Sequence, residues 1–361
     1  MSAPTSEHSE SEFYSIPKTL NELLDHVSHA CESGVHLYGG VLGTTIGIEA
    51  VIGRLRQDRE YPWGIEVAGK GPYLLSVTSP EEDSETAKAF IWQNPETGII
   101  HLLSGQDRGS FERLVKKVHR YLYPELFRIG FRTADVLRIL NAVVRQPGCG
   151  PIRIREYVAR SLIDDPVASK RVDTIRRWTD ESHETVFQTL AENGQWLSAF
   201  RFEMHASTEV AARVWRDGSY VCERGFRVFR AKMLQLYEKR MLDSERFYQY
   251  RDRQSSPTHS SRPVTLSYRR NVFENKRENY RLIEVVKNLP DCSVAVVHPN
   301  PYVHVSVLDY MDGSNYDIWV TTSDSVMIIP REKATGQSVQ KACDHICELF
   351  EEGEVMEYRF S

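Results

Sequence analysis

Two pairs of residues have a spacing suited to acid–base chemistry on a phosphate. Five residues separate Arg113 from His119, and the same spacing separates Arg177 from His183. A histidine can move a proton near neutral pH, and an arginine can hold a phosphate oxygen. Each pair therefore combines a possible proton carrier with a permanent positive charge.

The Arg-x5-His spacing resembles the motif of the HEPN ribonucleases, which are helical proteins that act as dimers. Those families usually place a polar residue just after the arginine, whereas Leu114 and Trp178 follow the two arginines here. His119 also aligns with Cys347 in the internal repeat described below, which indicates packing. No catalytic residue is therefore predicted, and an RNase-like enzyme is the third of three functional hypotheses.

Other catalytic and metal-binding patterns are missing from the sequence. It contains no P-loop, no HExxH motif and no nucleophile elbow, and its six cysteines form no CxxC pair. Cys343 and Cys347 are four residues apart on the apolar stripe of a predicted helix, which favours buried thiols. We therefore expect no metal and no cofactor.

Basic residues are concentrated in one part of the chain. Residues 213–281 contain 17 Lys and Arg but only 8 Asp and Glu, although the net charge of the whole chain is −5. Within this region, residues 226–253 have apolar residues at helical spacing with basic residues between them. The basic positions are Arg227, Arg230, Lys232, Lys239 and Arg240.

A basic helix of this kind can contact a nucleic-acid backbone. An alternative is that the positive region offsets the acidic termini, within one molecule or across a dimer. Residues 1–30 contain one basic and five acidic groups, and residues 341–361 contain two and six.

The region before the basic helix has the element order of a winged helix. Helices are predicted at residues 134–146, 154–162 and 182–193, and strands at 196–205 and 210–223 with Asp217-Gly218 at a hairpin turn. Winged helices often place their last helix in the major groove of DNA. His183 and Gln188 are then candidates to read bases, with Arg201 on the wing.

The acidic residues of the third predicted helix oppose contact with phosphates. They are Glu181, Glu184 and Glu192. A winged helix used for protein contacts, or a simple helical insertion, is therefore the alternative for this region.

An internal repeat flanks this region. Four short β-rich segments end in an amphipathic helix, and Pro-Tyr, Ser-Val and Ile-Trp recur in the same order in both copies. The segments are 65–67, 72–77, 90–92 and 99–103 in the first copy, and 294–296, 301–307, 317–319 and 326–329 in the second. We predict that residues 63–123 and 293–351 share one fold, with Trp92 and Trp319 in equivalent positions.

Each copy is predicted as a helix, four antiparallel strands and a closing helix. The preceding helices are predicted at residues 20–31 and 280–288. This order resembles the repeat of the TATA-box-binding protein fold, which is also two helix-flanked antiparallel units in tandem. The resemblance concerns architecture, and no functional residue is carried over from it.

The predicted fold class is α+β, with two related units flanking a winged-helix-like insertion. The domains are a disordered N-terminus (1–15), a first α/β unit (16–130), a winged-helix-like region (131–225), a basic helix (226–253), a linker (254–275) and a second α/β unit (276–361). Residues 1–12 and 254–263 are predicted to be mobile because they have little apolar content to bury.

Composition favours a cytoplasmic protein without a membrane partner. Hydrophobic residues make up 41% and charged residues 26% of the 361 residues, which is ordinary for a globular protein. No apolar run approaches the ~20 residues of a membrane helix, and the first twelve residues lack the pattern of a secretory signal.

Three functional hypotheses follow from the sequence. The first is a nucleic-acid-associated regulator of transcription that binds duplex DNA through the winged-helix-like region and the basic helix. The second is a protein-interaction or assembly subunit that contacts a protein partner or forms a homodimer, without contacting nucleic acid. The third is the RNase-like enzyme.

Overall fold

The computed structural model describes residues 12–69, 71–78, 86–163, 171–253 and 262–357. The chain divides into two compact units. The first comprises Met1–Val158, Arg176–Thr189 and Leu197–Leu242, and the second comprises Ala159–Ile175, Leu190–Trp196 and Asp243–Ser361. The segment 1–11 and most of 254–263, both predicted to be mobile, lie outside the described residues.

The chain folds as α+β with two antiparallel sheets, which confirms the predicted class. The helices and strands up to the middle of the chain are α1 (Leu20–Glu32), β1 (Leu37–Thr44), α2 (Ile48–Leu55), β2 (Trp63–Val67), β3 (Tyr73–Thr78), β4 (Thr86–Gln93), β5 (Ile100–Ser104), α3 (Arg108–Leu122), β6 (Leu126–Phe127), α4 (Thr133–Val144), β7 (Ile152–Ile163), β8 (Arg171–Ser182) and α5 (His183–Glu192).

Three strands and the basic helix follow. They are β9 (Trp196–His205), β10 (Glu209–Trp215), β11 (Ser219–Arg224), α6 (Phe226–Phe229), a π-helical segment (Arg230–Leu234) and α7 (Gln235–Gln249). The predicted hairpin turn at Asp217-Gly218 is confirmed between β10 and β11, and Gly218 there has a φ of +79°.

The second sheet contains the strands of the second repeat. Its elements are β12 (Val264–Ser267), α8 (Lys276–Lys287), β13 (Cys292–His298), β14 (Val303–Asp309), β15 (Asn315–Thr322), β16 (Ser325–Pro330), α9 (Gly336–Leu349) and β17 (Glu354–Glu357). The strand order is β13-β14-β15-β16-β12-β17. Part of the predicted linker 254–275 is therefore the strand β12, which pairs with β16 and β17.

The two repeats have the same strand order. In the first sheet the order is β2-β3-β4-β5-β1-β11-β10-β9-β7-β8, and β6 also pairs with β1. Each repeat is thus a strand, a helix, a four-strand meander, a helix and a final short strand, with the first strand beside the fourth of the meander. The predicted unit was too short, and the helix equivalent to α8 is α2 rather than α1.

Trp92 and Trp319 lie on equivalent strands, as predicted. Trp92 on β4 pairs with His101 on β5, and Trp319 on β15 pairs with Met327 on β16. The tyrosines of the two Pro-Tyr pairs do not occupy equivalent positions. Tyr73 is buried in β3, whereas Tyr302 comes just before β14 and is 61% exposed.

The closing helices cover one face of each meander. All the apolar positions predicted for them are buried: Phe111, Leu114, Val115, Val118 and Leu122 in the first copy, and Val339, Ala342, Cys343, Ile346 and Phe350 in the second. Cys347 is buried as well. Burial of this apolar stripe is what holds each amphipathic helix on its sheet.

The helix predicted at residues 154–162 was wrong, because this segment lies in strand β7. Ile152 and Ile154 alternate along the strand and are fully buried. Glu156 continues the same alternation and is also buried, where Arg176 and Arg213 neutralise it. Because these partners come from other strands, the local pattern of helix-forming residues does not decide whether this segment forms a helix or a strand. The three-helix order expected of a winged helix therefore lacks its second helix.

In the parts of the chain that the structure describes, no helix is long and apolar enough to cross a membrane.

Candidate nucleic-acid interface

The basic helix forms where predicted, but its charges lie in different surroundings. Arg227 is 77% exposed and its guanidinium lies 2.9 Å from the carboxylate of Asp25 on α1. Arg230 begins the π-helical segment and is half-buried. Short π-helical segments often occur at functional sites.

Arg227 and Arg230 line the same groove beside α1. The groove has a volume of about 360 Å³, and its lining residues are Asn21, Leu24, Asp25, Ser28, Phe226, Arg227 and Arg230. Two guanidinium groups and an amide here offer donors to a phosphate, while Asp25 opposes it. The Ser28 hydroxyl already donates to the Leu24 carbonyl oxygen at 2.6 Å.

The remaining basic residues of this helix do not join the groove. Lys232 Nζ lies 3.4 Å from the carbonyl oxygen of Pro147, and the side chain of Lys239 is exposed. Arg240 Nε lies 2.9 Å from the buried carboxylate of Asp135. Arg240 therefore has a structural partner within its own unit, but Asp135 lies outside the acidic termini that the charge-offset alternative names.

The candidates on α5 and the following strand are similarly divided. His183 is only 3% exposed, and its Nε2 lies 2.9 Å from Asn141 Oδ1. Burial lowers the pKa of His183, and the charge of Glu184 offsets part of that effect. A buried neutral ring is poorly placed to reach a base edge. Gln188 has an exposed side chain on α5.

Arg201 forms a bidentate pair with Glu223 on β11. Its Nε and Nη2 atoms lie 3.0 and 2.6 Å from the two carboxylate oxygens. Burial raises the pKa of Glu223, but hydrogen bonds from Arg201 and its charge outweigh burial and lower the pKa overall. The carboxylate therefore stays ionised and fixes Arg201 on the sheet.

The structure reveals an arginine–tryptophan surface that the sequence analysis did not identify. It consists of Arg108, Arg176, Trp178, Arg213 and Trp215, all in the first unit. Trp178 is 68% exposed, and the Arg176 guanidinium lies 5.2 Å from its ring centre. The guanidiniums of Arg108 and Arg213 lie 4.6 and 5.8 Å from the ring centre of Trp215.

Glu156 holds this surface together. Its buried carboxylate contacts Arg176 on β8 and Arg213 on β10, so arginines from two strands meet at one acidic group. Arg176 remains 55% exposed beyond this contact, and Arg108 is 52% exposed although it also pairs with Glu112. Positive charge and an open indole face are therefore available together.

The sequence feature that could have identified this surface is the two-residue spacing of Arg176 and Trp178. Residues two apart in a strand share a face, whereas the spacing of Arg177 and His183 draws attention to a different pair in the same segment. The structure places Arg177 in β8 and His183 at the start of α5, so this pair does not lie on one helix.

The other Arg–His pair also fails to converge. Arg113 and His119 both lie on α3, where six residues turn the helix by about 600° and separate the side chains by about 120°. Arg113 Nη2 lies 3.1 Å from Ser110 Oγ, and the His119 ring packs against Tyr123. The geometry does not support an RNase-like site.

A buried His–Glu pair lies between α7 and the β4–β5 hairpin. His101 Nε2 lies 3.1 Å from Glu238 Oε1, with each side chain 2% exposed, and Trp92 stacks on the imidazole at 4.9 Å between ring centres. Asn94 and Thr97 donate to Glu238 Oε2 at 2.6 and 2.8 Å. The cluster is closed to solvent, and its contacts connect α7 to the β4–β5 hairpin.

Within the described residues, no three His, Cys, Asp or Glu side chains are grouped to hold a metal ion. The chain matches no protein-family model, and no curated protein is significantly similar to it.

Proposed function

We propose that this protein binds nucleic acid, and that the arginine–tryptophan surface contacts single strands. The observation that carries the proposal is the exposed indole of Trp178 with the Arg176 guanidinium 5.2 Å from its centre. Every nucleobase has a face that stacks on an aromatic ring, and arginines beside the ring attract the backbone.

The construction of the surface supports this proposal. Arg176 and Arg213 are fixed by Glu156, so binding a ligand costs them little additional ordering. The five residues carry three positive charges, which Glu156 only partly offsets. Trp215, half-buried between Arg108 and Arg213, adds a second aromatic group to the same unit.

The test is a fluorescence-anisotropy titration with labelled oligo-dT, oligo-U and duplex DNA at several salt concentrations. Replacing Trp178→Ala should weaken single-strand binding about 5- to 150-fold, since one base stacked on an aromatic contributes about 1–3 kcal/mol. The matched control is Tyr250→Ala, which removes another exposed aromatic with an arginine, Arg262, 5.6 Å from its ring.

Two results would reject the proposal. One is the absence of binding to any of the three probes at low salt. The other is a folded Trp178→Ala variant that binds single strands as tightly as the unaltered protein.

Contact with duplex DNA through the groove of Arg227 and Arg230 is a second candidate. It is favoured by the convergence of these two predicted residues on one groove. Reversing both charges should weaken duplex binding and flatten the salt dependence by about two units, at about 0.9 per phosphate contact. Unchanged duplex binding would exclude the groove. Under this second candidate, the protein is cytoplasmic and regulates transcription by binding duplex DNA. The helix α5 and the strands after it would then act as a winged helix does.

The shared order of helices and strands supports a further part of the proposal. The two repeats arose by duplication, and their elements follow the order of the repeat in the TATA-box-binding protein. In both repeats of this chain, a strand and a helix precede the four-strand meander, and a helix follows it. An experimental structure in which β13–β16 and α9 fail to superimpose on β2–β5 and α3 would refute it.

A further inference from the structure

The edge strands of the two sheets differ in charge. β2, β8 and β17 each carry charged side chains, among them Glu66 on β2, Asp173, Arg176, Arg177, Asp180 and Glu181 on β8, and Glu354 and Glu357 on β17. The fourth edge strand, β13, carries none. Charged residues on an edge strand discourage another chain from pairing with its free backbone groups.

The absence of charged residues extends along the β13–β14 hairpin as far as Leu308, and the buried Asp309 ends β14. From Cys292 to Leu308 the sequence contains no Asp, Glu, Lys or Arg. Val296 and Val297 on β13 are 38% and 58% exposed. Tyr302, just before β14, is 61% exposed, and Leu308, opposite Ser293 on β14, is 44% exposed. Exposed apolar surface on an uncharged edge is typical of a protein contact site.

We propose that β13 pairs antiparallel with β13 of a second copy of this chain, about a two-fold axis beside Ala295. This contact would join two copies edge to edge through the second unit. It is independent of nucleic-acid binding, which the proposed function places on the first unit.

A second copy fits this edge because β13 is complementary to itself. In a register centred on Ala295, Val294 faces Val296 of the other copy. This centre lies in the regular part of β13, because the pairing of β13 with β14 becomes irregular only between Val296 and His298. The exposed Val296 thereby meets an uncharged β-branched side chain, and such pairs across strands are stabilising. In a two-fold contact, each residue near the axis faces the same residue of the other copy. A charged residue there would therefore face a like charge, and β13 contains no Asp, Glu, Lys or Arg.

The size of the edge indicates a weak dimer. β13 has seven residues, and one strand pair of that length buries less than the roughly 800 Å² per partner of a standard interface. Leu308 on the neighbouring strand and Tyr302 just before that strand add exposed apolar surface close to the contact. We therefore expect a dissociation constant in the range of about 1–100 µM.

Sedimentation velocity of the full chain across that concentration range tests the proposal. Ala295→Lys and Ala295→Asp should each weaken the dimer at least about tenfold, because each sets two like-charged side chains directly opposite each other, with Cβ atoms about 4.5–5.5 Å apart. Mixing the two variants in equal amounts should restore a dimer, since opposite charges then face each other. Met356→Lys is the matched control, because it adds a charge to the exposed side of the other edge strand, β17.

The outcomes separate cleanly if circular dichroism shows each variant folded. A monomeric unaltered protein at the highest concentration overturns the proposal, and so does a dimer that both Ala295 variants leave intact. Two monomeric variants that fail to associate when mixed overturn the register centred on Ala295. Loss of the dimer in Met356→Lys as well would place the contact elsewhere.

Discussion

The buried pair between His101 and Glu238 should make a measurable contribution to stability. In Glu238→Gln the side chain keeps its shape and can still accept from Asn94 and Thr97, but it loses the charge next to His101. A hydrogen bond to a charged group contributes about 1.5–3 kcal/mol, so we expect a loss of about 2–3 kcal/mol at pH 7. Glu238→Ala leaves all three partners without an acceptor, and should cost about 3–5 kcal/mol.

The contribution of Glu238 should depend on pH in a defined direction. Burial raises its pKa, but the hydrogen bond and charge of His101, with the bonds from Thr97 and Asn94, outweigh burial and lower the pKa below its usual 4.5. An acid with a lowered folded pKa stabilises the protein above its unfolded pKa. This stabilisation is lost as the pH falls through the folded value.

Urea unfolding followed by circular dichroism at pH 7, 5 and 3.5 measures both effects. The difference between the unaltered protein and Glu238→Gln should be largest at pH 7 and shrink below pH 4.5. Glu245→Gln is the control on the same helix, because burial raises the pKa of Glu245 and the neutral variant should be no less stable at pH 7. A Glu238→Gln difference below about 0.5 kcal/mol at pH 7, or one that does not change with pH, would refute the reasoning.

Two further predictions concern the fold. Asp309 is fully buried and accepts from Ser338 Oγ at 2.9 Å and Lys341 Nζ at 3.0 Å, so Asp309→Ala should lower the free energy of unfolding by about 3–5 kcal/mol, and a loss below about 1 kcal/mol would contradict this. Gly225 has a φ of +70°, and an added Cβ would lie 2.5 Å from a backbone carbonyl oxygen. Gly225→Ala should therefore lower the melting temperature more than Gly34→Ala, which has a φ of +94° but open space around the new Cβ.

Local patterns in the sequence determined the repeated strands and helices. Alternating apolar residues at 303–307 predicted β14, and the helical spacing of apolar residues predicted α3 and α9. These predictions succeeded because each element buries one apolar face, and its period is visible in consecutive residues. The recurring Ile-Trp pair likewise identified equivalent strands.

Tertiary structure decided where charge is available. The sequence shows that residues 226–240 are basic, but only the fold shows that Arg240 faces Asp135 while Arg227 and Arg230 share a groove. Partners more than 100 residues apart in the chain leave no periodic signal. The candidate residues were therefore predictable by type, and their surroundings were not.

The strand β7 shows the same limit for the backbone. Its sequence contains helix-forming residues, and Glu156 in its middle is suited to a solvent-exposed helix. In the structure Glu156 is buried, because Arg176 on the neighbouring strand β8 and Arg213 on β10, two strands away, compensate its charge. Without those partners, burying a carboxylate would be too costly for a strand there. The sequence by itself determined the helices and strands that have one apolar face. The tertiary structure decided that the charged segments β7 and β8 form strands, and it brought together the residues of the arginine–tryptophan surface.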